Sequence, residues 1–400
     1  MRYLFCSLDS PGFLFPAIGI AHALENRGHD VSFVADSSAA SLLDQVGIKR
    51  IPRGHIDGRS FRVAEWPRPF AVAIQVKHIE YALERFGADA LVGQSLTLGP
   101  LLAAERCGLP VGVVGFATYL WPRSDALLGD QAELQARLVW RHSDMVGWLN
   151  RARELFRMPV YEGSCRSSPL LGDLFLVRSV PELEPAPETL PERVHLVGSC
   201  LWEPANTDTD TDTDLEEWLV EAEASGLPIV YVQQGRSFNI PSFWPYLVTA
   251  LKGEFCKVVA SVDKMTCSQG EVPSNFFVRD HIPQCKVMQF THVVVSSANT
   301  TSFLGALTAG IPALFVPAGG EQHDLAHLAK SAGVGSVLSP YELSPEVIQD
   351  EMERLLVVPS FREKAQLFKA AFARIGGFDR VVDLLERMAA GQPIMRSVRG

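Results

Sequence analysis

Residues 293–324 read VVVSSANTTSFLGALTAGIPALFVPAGGEQHD. Val293, Val294 and Val295 make a short apolar run, as a strand buried on both faces of a parallel sheet requires. Residues 296–301 are small and polar, which suits a strand-to-helix turn. Residues 302–309 then form a short apolar helix, which Gly310 is placed to close. Residues 311–316 are the next buried strand, and a Pro-Ala-Gly-Gly turn leads into a polar loop of Glu321, Gln322, His323 and Asp324. A helix N-terminus beside the carboxyl end of a parallel strand carries free backbone N–H groups and a positive partial charge, so it is a ready anion site. The functional reading is a bound nucleotide diphosphate; the alternative is an ordinary βα turn whose small residues serve packing.

The same alternation runs outward along the chain. Strand-like runs at 2–8, 31–35, 90–93 and 111–115 are separated by helical runs at 15–27, 37–46 and 98–106, with Gly28 and Gly108 as stops. That pattern predicts a doubly wound parallel sheet, with ligand-binding loops at 9–16, 94–97 and 116–122. Residues 125–158 read as largely helical, 173–177 and 195–198 as strands. Alternating Thr and Asp in ANTDTDTDTD (205–214) cannot bury a core, so the run reads as an exposed linker. A calcium reading of the D-T-D repeat is weak, because the Gly and terminal Glu of an EF-hand loop are missing. Beyond it the alternation resumes at 215–223, 229–232, 243–252, 257–261 and 276–278, and ends in helices at 345–356, 360–375 and 380–388. The expected organisation is an N-terminal domain at 1–204, an acidic linker and short helix at 205–224, a second domain at 225–378 and a terminal helix at 379–400.

Composition narrows the function. With 400 residues, 47% hydrophobic and 20% charged, the chain is globular and long enough for two cores. A formal charge of −10 argues against nucleic acid or an anionic membrane as main partner. No apolar run reaches a membrane span, and the start MRYLFCSLDS reads as a strand rather than a signal peptide. The seven cysteines are scattered without a C-x-x-C pair, which fits free thiols in a reducing cytoplasm and gives zinc no support.

Taken together, HALENRGHDVSFV (22–34), LLAAERCGLPVGVV (101–114), LFLVRSVPELEP (174–185), VHLVG (194–198), IVYVQQGRS (229–237), the block from DHIPQ to AGVG (280–335) and GGFDRVVDLLERM (376–388) resemble the GT-B glycosyltransferases of the UDP-glycosyltransferase superfamily, most of all the bacterial natural-product type. The resemblance implies an α/β chain of two doubly wound Rossmann-like domains facing across a cleft, with the last helix crossing back onto the first domain. It implies an inverting transfer from a dTDP- or UDP-sugar to a small-molecule acceptor, with no further cofactor, no metal, no nucleic acid and no membrane insertion; a homodimer is left open. Donor contacts carried over by position are Gly235, Arg236 and Ser237 near the diphosphate, His281, Ile282 and Gln284 at base and ribose, Ser297, Asn299, Thr300, Thr301 and Ser302 in the phosphate turn, and Glu321 with Gln322 at the sugar hydroxyls. On the acceptor side stand Gly12, Phe13, Trp66, Gln94, Phe116, Tyr119 and Trp121, an apolar and aromatic set that suits a hydrophobic acceptor.

Two departures stand out. The family's H-G-G-x-G-T donor motif is replaced by Ser297, Ala298, Asn299, Thr300, Thr301 and Ser302; the peptidoglycan-type N-acetylglucosaminyltransferases of the same fold also use a Ser-rich turn there. The family's G-H-x-x-P loop reads Gly12, Phe13, Leu14, Phe15, Pro16, and Gln94 fills the place of the carboxylate that orients the His. A positioned base supplies about 10²–10⁴-fold. Its absence leaves three explanations open: an acceptor that needs no strong base, such as an amide nitrogen, a thiolate or an acidic phenol; a base among Asp9, His55, Asp57, Asp125, His323 and Asp324, of which His323 and Asp9 are the chosen candidates; or a chain that does not catalyse. A nucleotide-sugar-binding partner of another transferase and a GT-B sugar-nucleotide epimerase are the alternative functions.

Overall fold

The computed structural model describes residues 1–53, 58–116, 132–163, 167–184, 190–204, 209–235, 240, 242–262 and 272–394. The chain divides into two compact units, one made of Met1–Pro204 and Arg374–Gly400, the other of Ala205–Ala373.

In the first unit the strands are β1 (Arg2–Cys6), β2 (Asp30–Val34), β3 (Lys49–Arg50), β4 (Ala90–Gln94), β5 (Val111–Gly115), β6 (Leu174–Val177) and β7 (Val194–Leu196), with helices α1 (Pro11–Asn26), α2 (Ala40–Gln45), α3 (Pro69–Phe86), α4 (Gly99–Cys107) and α5 (Ala132–Leu155). All the pairings are parallel, in the order β3-β2-β1-β4-β5-β6-β7. The strands are buried almost throughout, which is why they read as continuous apolar runs rather than alternating ones. Helix α1 begins four residues before the expected 15, because Pro11 has no N–H to leave unpaired and its fixed φ suits a first helical position. Helix α3 also starts on a proline, Pro69, and ends on left-handed Gly87.

The second unit runs α6 (Thr209–Ala224), β8 (Ile229–Gln233), α7 (Trp244–Leu251), β9 (Lys257–Ser261), β10 (Phe276–Arg279), α8 (Gln284–Val287), β11 (Val293–Ser296), α9 (Thr300–Ala309), β12 (Ala313–Phe315), α10 (Gln322–Ala332), β13 (Gly335–Val337), α11 (Pro345–Val357) and α12 (Pro359–Arg374). Its sheet, again parallel, has the order β10-β9-β8-β11-β12-β13. Two expectations need correction here. The Thr-Asp repeat is helical from Thr209 onward, forming the first turns of α6 rather than a linker; aspartates suit the positive end of a helix. The polar group after β12 is likewise a helix start: Glu321 stands at the N-cap position of α10 without a side-chain capping bond, and Gln322, His323 and Asp324 are its first turn.

The last helix, α13 (Gly377–Ala389), belongs to the first unit. Val381, Val382, Leu384, Leu385 and Met388 join the same core cluster as Tyr3, Ile18, Ile20 and Leu24. Gly19 lets this happen: a Cβ there would lie 2.5 Å from the ring of Phe378 and 2.8 Å from Trp202. On the outside Arg27 Nη1 pairs with Asp383 at 2.5 Å and with Glu386 at 3.1 Å. Exposed pairs of this kind contribute little, so burial of the apolar face holds the helix.

Candidate functional site

In an open parallel sheet the crevice forms where neighbouring strands lead off in opposite directions, at their carboxyl ends. The second sheet changes direction between β8 and β11, which are paired with Gln233 opposite Ser296. The segments leaving those two ends carry Gly235 and the 297–301 turn. They touch: a Cβ on Gly235 would sit 2.6 Å from Ser297 Oγ and 2.8 Å from Asn299 Nδ2. Gly235 has φ +67°, a left-handed conformation that favours glycine. Ala298, at φ 59°, is left-handed without being glycine. That strain is the kind held at functional turns.

The turn is organised from within. Asn299 is the N-cap of α9, its Oδ1 accepting from Ser302 N at 3.1 Å. Ser296 Oγ accepts from Ala298 N at 3.1 Å and from Ser302 Oγ at 2.8 Å. Ser302 is fully buried, with its hydroxyl bonded to Ser296 Oγ and Asn299 O. Capping through Oδ1 leaves the Asn299 amide nitrogen turned toward Gly235. Asn299 Nδ2 and Ser297 Oγ are buried and have no hydrogen-bond partner among the described residues. Buried polar atoms are nearly always paired, so two unpartnered ones side by side mark a place for a ligand group. Thr300 and Thr301 stand half-buried on the first turn of α9.

Around this turn lie the other candidates. Gln284 opens α8, is 4% exposed, and donates from Nε2 to Thr301 O at 3.2 Å, while its Oε1 is unpartnered among the described residues. Gly305 on α9 gives it room, since a Cβ there would fall 1.9 Å from Gln284 Nε2. His281 is exposed and Ile282 buried. Beyond β12, Gln322 is 2% exposed and its Oε1 accepts from Ala318 N at 2.8 Å and Gly319 N at 3.3 Å. That bond shapes the Pro-Ala-Gly-Gly turn and occupies its carbonyl oxygen. Glu321 and His323 are half-buried at the start of α10. Arg236 and Ser237 lie outside the described residues, as do Tyr119, Trp121, His55, Asp57 and Asp125.

In the first unit the equivalent direction change lies between β1 and β4. Here the crevice is tied shut by Gln94. Its Oε1 accepts from Leu8 N at 3.1 Å and Thr97 Oγ1 at 3.4 Å; its Nε2 donates to Ser7 Oγ at 3.0 Å and Phe13 O at 2.5 Å. Two acceptor sites and two donors are all an amide side chain has. Gln94 thus fixes the first turn of α1 around Phe13, with each of its amide positions already bonded within the chain. Phe13 itself is half-buried. Asp9 is held by Val63 N at 2.9 Å from its Oδ1. Trp66 packs edge-to-face on Trp148 of α5, with centroids 4.9 Å apart.

The sequence reading passed over one residue of this edge. Arg178 follows β6 directly and is only 3% exposed. Its Nε donates to Ser199 O at 2.8 Å and its Nη1 to Gly12 O at 3.3 Å, and the guanidinium lies 5.7 Å from the Phe116 ring centroid. Burial pulls its pKa down to about 10. The visible signal was a charge closing an apolar strand run, LFLVR. Among the described residues no cluster of His, Cys, Asp or Glu is arranged to hold a metal ion, and no helix is long and apolar enough to cross a membrane.

No protein-family model matches the chain. It is 24% identical to the 4'-demethylrebeccamycin synthase of Lentzea aerocolonigenes over 96% of this chain and 99% of that protein. The crystal structure of the glycotransferase of kitacinnamycin superposes with a TM-score of 0.76 at 18% identity, covering 98% of this chain and 99% of the other. The glycosyltransferase VinC, solved in complex with dTDP, gives 0.71 at 19% identity over 98% and 100%. The chain has the GT-B fold. Its two parallel sheets have seven and six strands, and the six of the second follow the order of the first six of the first. At these identities the fold does not assign the side chains that do chemistry, so their roles rest on the geometry above.

Proposed function

We propose that the chain is an inverting glycosyltransferase that moves a sugar from a dTDP- or UDP-sugar to a hydrophobic natural-product acceptor. The observation carrying this reading is the pair of unpartnered buried atoms, Ser297 Oγ and Asn299 Nδ2, set against Gly235 where the second sheet changes direction. A diphosphate there takes hydrogen bonds from Asn299 Nδ2, Ser297 Oγ and the free N–H groups at the start of α9, whose dipole opposes the negative charge that builds on the leaving group. Gln284 faces the ribose through its free carbonyl oxygen, and exposed His281 offers an aromatic face to the base. Glu321 holds a sugar hydroxyl; Gln322 positions it by fixing the turn. The relative named as a rebeccamycin-type synthase and the neighbour solved with dTDP both favour a natural-product acceptor and a nucleotide diphosphate donor.

On the acceptor side Phe13 takes no proton and Gln94 is fully bonded, so the reading requires a nucleophile that reacts without a His base: nitrogen, or an acidic oxygen or sulfur. Asp9 and His323 remain the side chains to replace in search of a base. The decisive experiment combines purified protein, dTDP- and UDP-hexoses and a panel of aromatic acceptors, with nucleotide diphosphate release as the readout. Glu321→Ala is expected to lower transfer about 10–100-fold, the worth of a hydrogen bond to a charged group, with diphosphate affinity kept. Full activity of Glu321→Ala contradicts the donor assignment. The same replacements, Phe13 and Gln94, favour a second reading, a nucleotide-sugar-binding partner that does not itself transfer. Tight diphosphate binding without any turnover identifies that case.

A further inference from the structure

Arg178 is a buried cation with no carboxylate paired to it among the described residues. Among the described residues its hydrogen-bond partners are two carbonyl oxygens, Ser199 O and Gly12 O, and its remaining contact is the Phe116 ring. The ionisable group acting on it is the thiol of Cys200, whose own pKa burial pushes up to about 12, leaving it neutral. A guanidinium has five N–H donors, and these two bonds use two of them. Removing a full charge from water is expensive unless something negative meets it. The two carbonyls repay part of that, and they also aim the group: Gly12 opens α1 beside Phe13, and Phe116 follows β5, so the fork lies at the carboxyl edge of the first sheet.

We propose that Arg178 receives an anionic acceptor, binding the ionised nucleophile or an acidic group beside it, and thereby selects acceptors that enter already deprotonated. This rests on the transferase reading above and names its acceptor class. It also accounts for the residues that stand where a base and its orienting carboxylate are expected. An acceptor with an acidic O–H or N–H gives its proton to bulk water; its anion attacks the anomeric carbon; the carbon–oxygen bond to the diphosphate breaks, and the electron pair leaves with the diphosphate. No proton is left for the protein to remove, so Phe13 is no handicap. Arginine suits the task because it stays charged at any working pH and presents a planar fork to two oxygens.

The test uses the full chain and equilibrium binding of two naphthalene probes of equal shape, 2-naphthoate and its neutral amide, 2-naphthamide. The wild type is expected to bind the anion about tenfold tighter or more, the factor a hydrogen bond to a charged group carries. Arg178→Gln should abolish the preference and Arg178→Lys should keep most of it. Equal affinity of the wild type for the two probes, including binding of neither, overturns the proposal, and so does a preference that survives Arg178→Gln. Because the wild-type comparison needs no variant, misfolding of Arg178→Gln cannot shield the idea. Titration with dTDP and UDP runs in parallel on the same preparations. A wild type that shows no probe preference but binds diphosphate refutes the Arg178 proposal alone, whereas absent diphosphate binding refutes the donor-site reading.

Discussion

Replacing Gly305 with alanine sets two effects against each other in one helix. In an open helix interior Gly→Ala stabilises by about 1 kcal/mol, because alanine loses less backbone freedom. At Gly305 the new methyl falls 1.9 Å from Gln284 Nε2, 2.6 Å from its Cδ and 3.0 Å from its Oε1. The glutamine must move, and at 4% exposure it has little space to move within. Displacement breaks the 3.2 Å bond to Thr301 O and takes Oε1 off its line to the ligand. Leaving a buried polar partner unmade costs about 1–3 kcal/mol, so the helix gain is cancelled or exceeded. If Gln284 meets the ribose, the affinity for dTDP or UDP falls about tenfold, since each 1.4 kcal/mol is a factor of ten. Calorimetric titration of wild type, Gly305→Ala, Gln284→Ala and the double variant closes the cycle. The double variant should bind nucleotide no worse than Gln284→Ala and melt above it, because the methyl then enters space the glutamine has left. Unchanged affinity in Gly305→Ala, or a double variant weakened about a hundredfold by simple addition, refutes the packing argument and the ribose role together.

Three further outcomes follow from the same contacts. Gln94→Glu removes the amide donor that Ser7 Oγ and Phe13 O require, so urea unfolding at pH 8 should show a loss of about 1–3 kcal/mol; at pH 5 the loss shrinks, because a protonated carboxyl restores one donor, and wild-type stability at pH 8 would contradict this. Leu385→Ala, at a fully buried position of α13 that packs on Gly112, should cost about 2–5 kcal/mol in melting of the first unit, and a loss below about 1 kcal/mol on the same scale says the helix is not part of that core. For Asp36, burial acts to raise the carboxyl, but the hydrogen bonds from Ser38 and Arg62 outweigh it and hold the pKa below the usual carboxylate range. A depressed carboxylate stabilises above its unfolded pKa of about 3.9 and loses that contribution as pH falls through the lower folded value. Asp36→Asn should therefore flatten the acid limb of stability below about pH 4, and an acid limb as steep as the wild type's speaks against it.

Strands and helices were legible because their signals are local. Apolar runs such as VVV at 293–295 and the stops Gly28, Gly108 and Gly310 act within a few residues. Helix starts were less so: α9 begins at Thr300, not 302, because Asn299 caps it by reaching forward to Ser302 N. That shift reverses the role of Ser302. Expected to face a phosphate, it turns inward to Ser296. Gln94 and Arg178 were opaque for a different reason. The partners that define them, Phe13 and Gly12, lie 81 and 166 residues away. No periodicity encodes such pairings, and burial of an arginine at a strand end looks from sequence like an ordinary exposed charge.

The six strands of the second sheet run in the same order as the first six of the seven-stranded first sheet, so topology alone offers two equivalent crevices for a nucleotide. Side chains break the tie. At the first crevice every hydrogen-bonding position of Gln94 is filled by the loops on either side, and a carbonyl of the α1 loop is turned toward Arg178. At the second, glycine replaces any side chain that would fill the gap, and a hydroxyl and an amide are left unpartnered beside a helix N-terminus. On the proposed reading the diphosphate takes its hydrogen bonds at the second. At the first it would have to break the four bonds of Gln94, and what that edge presents among the described residues is the guanidinium of Arg178 beside the Phe116 ring, the group proposed to receive an acidic acceptor. On the proposed transferase reading, the donor goes to the crevice with the unpartnered turn and the acceptor to the one that holds Arg178.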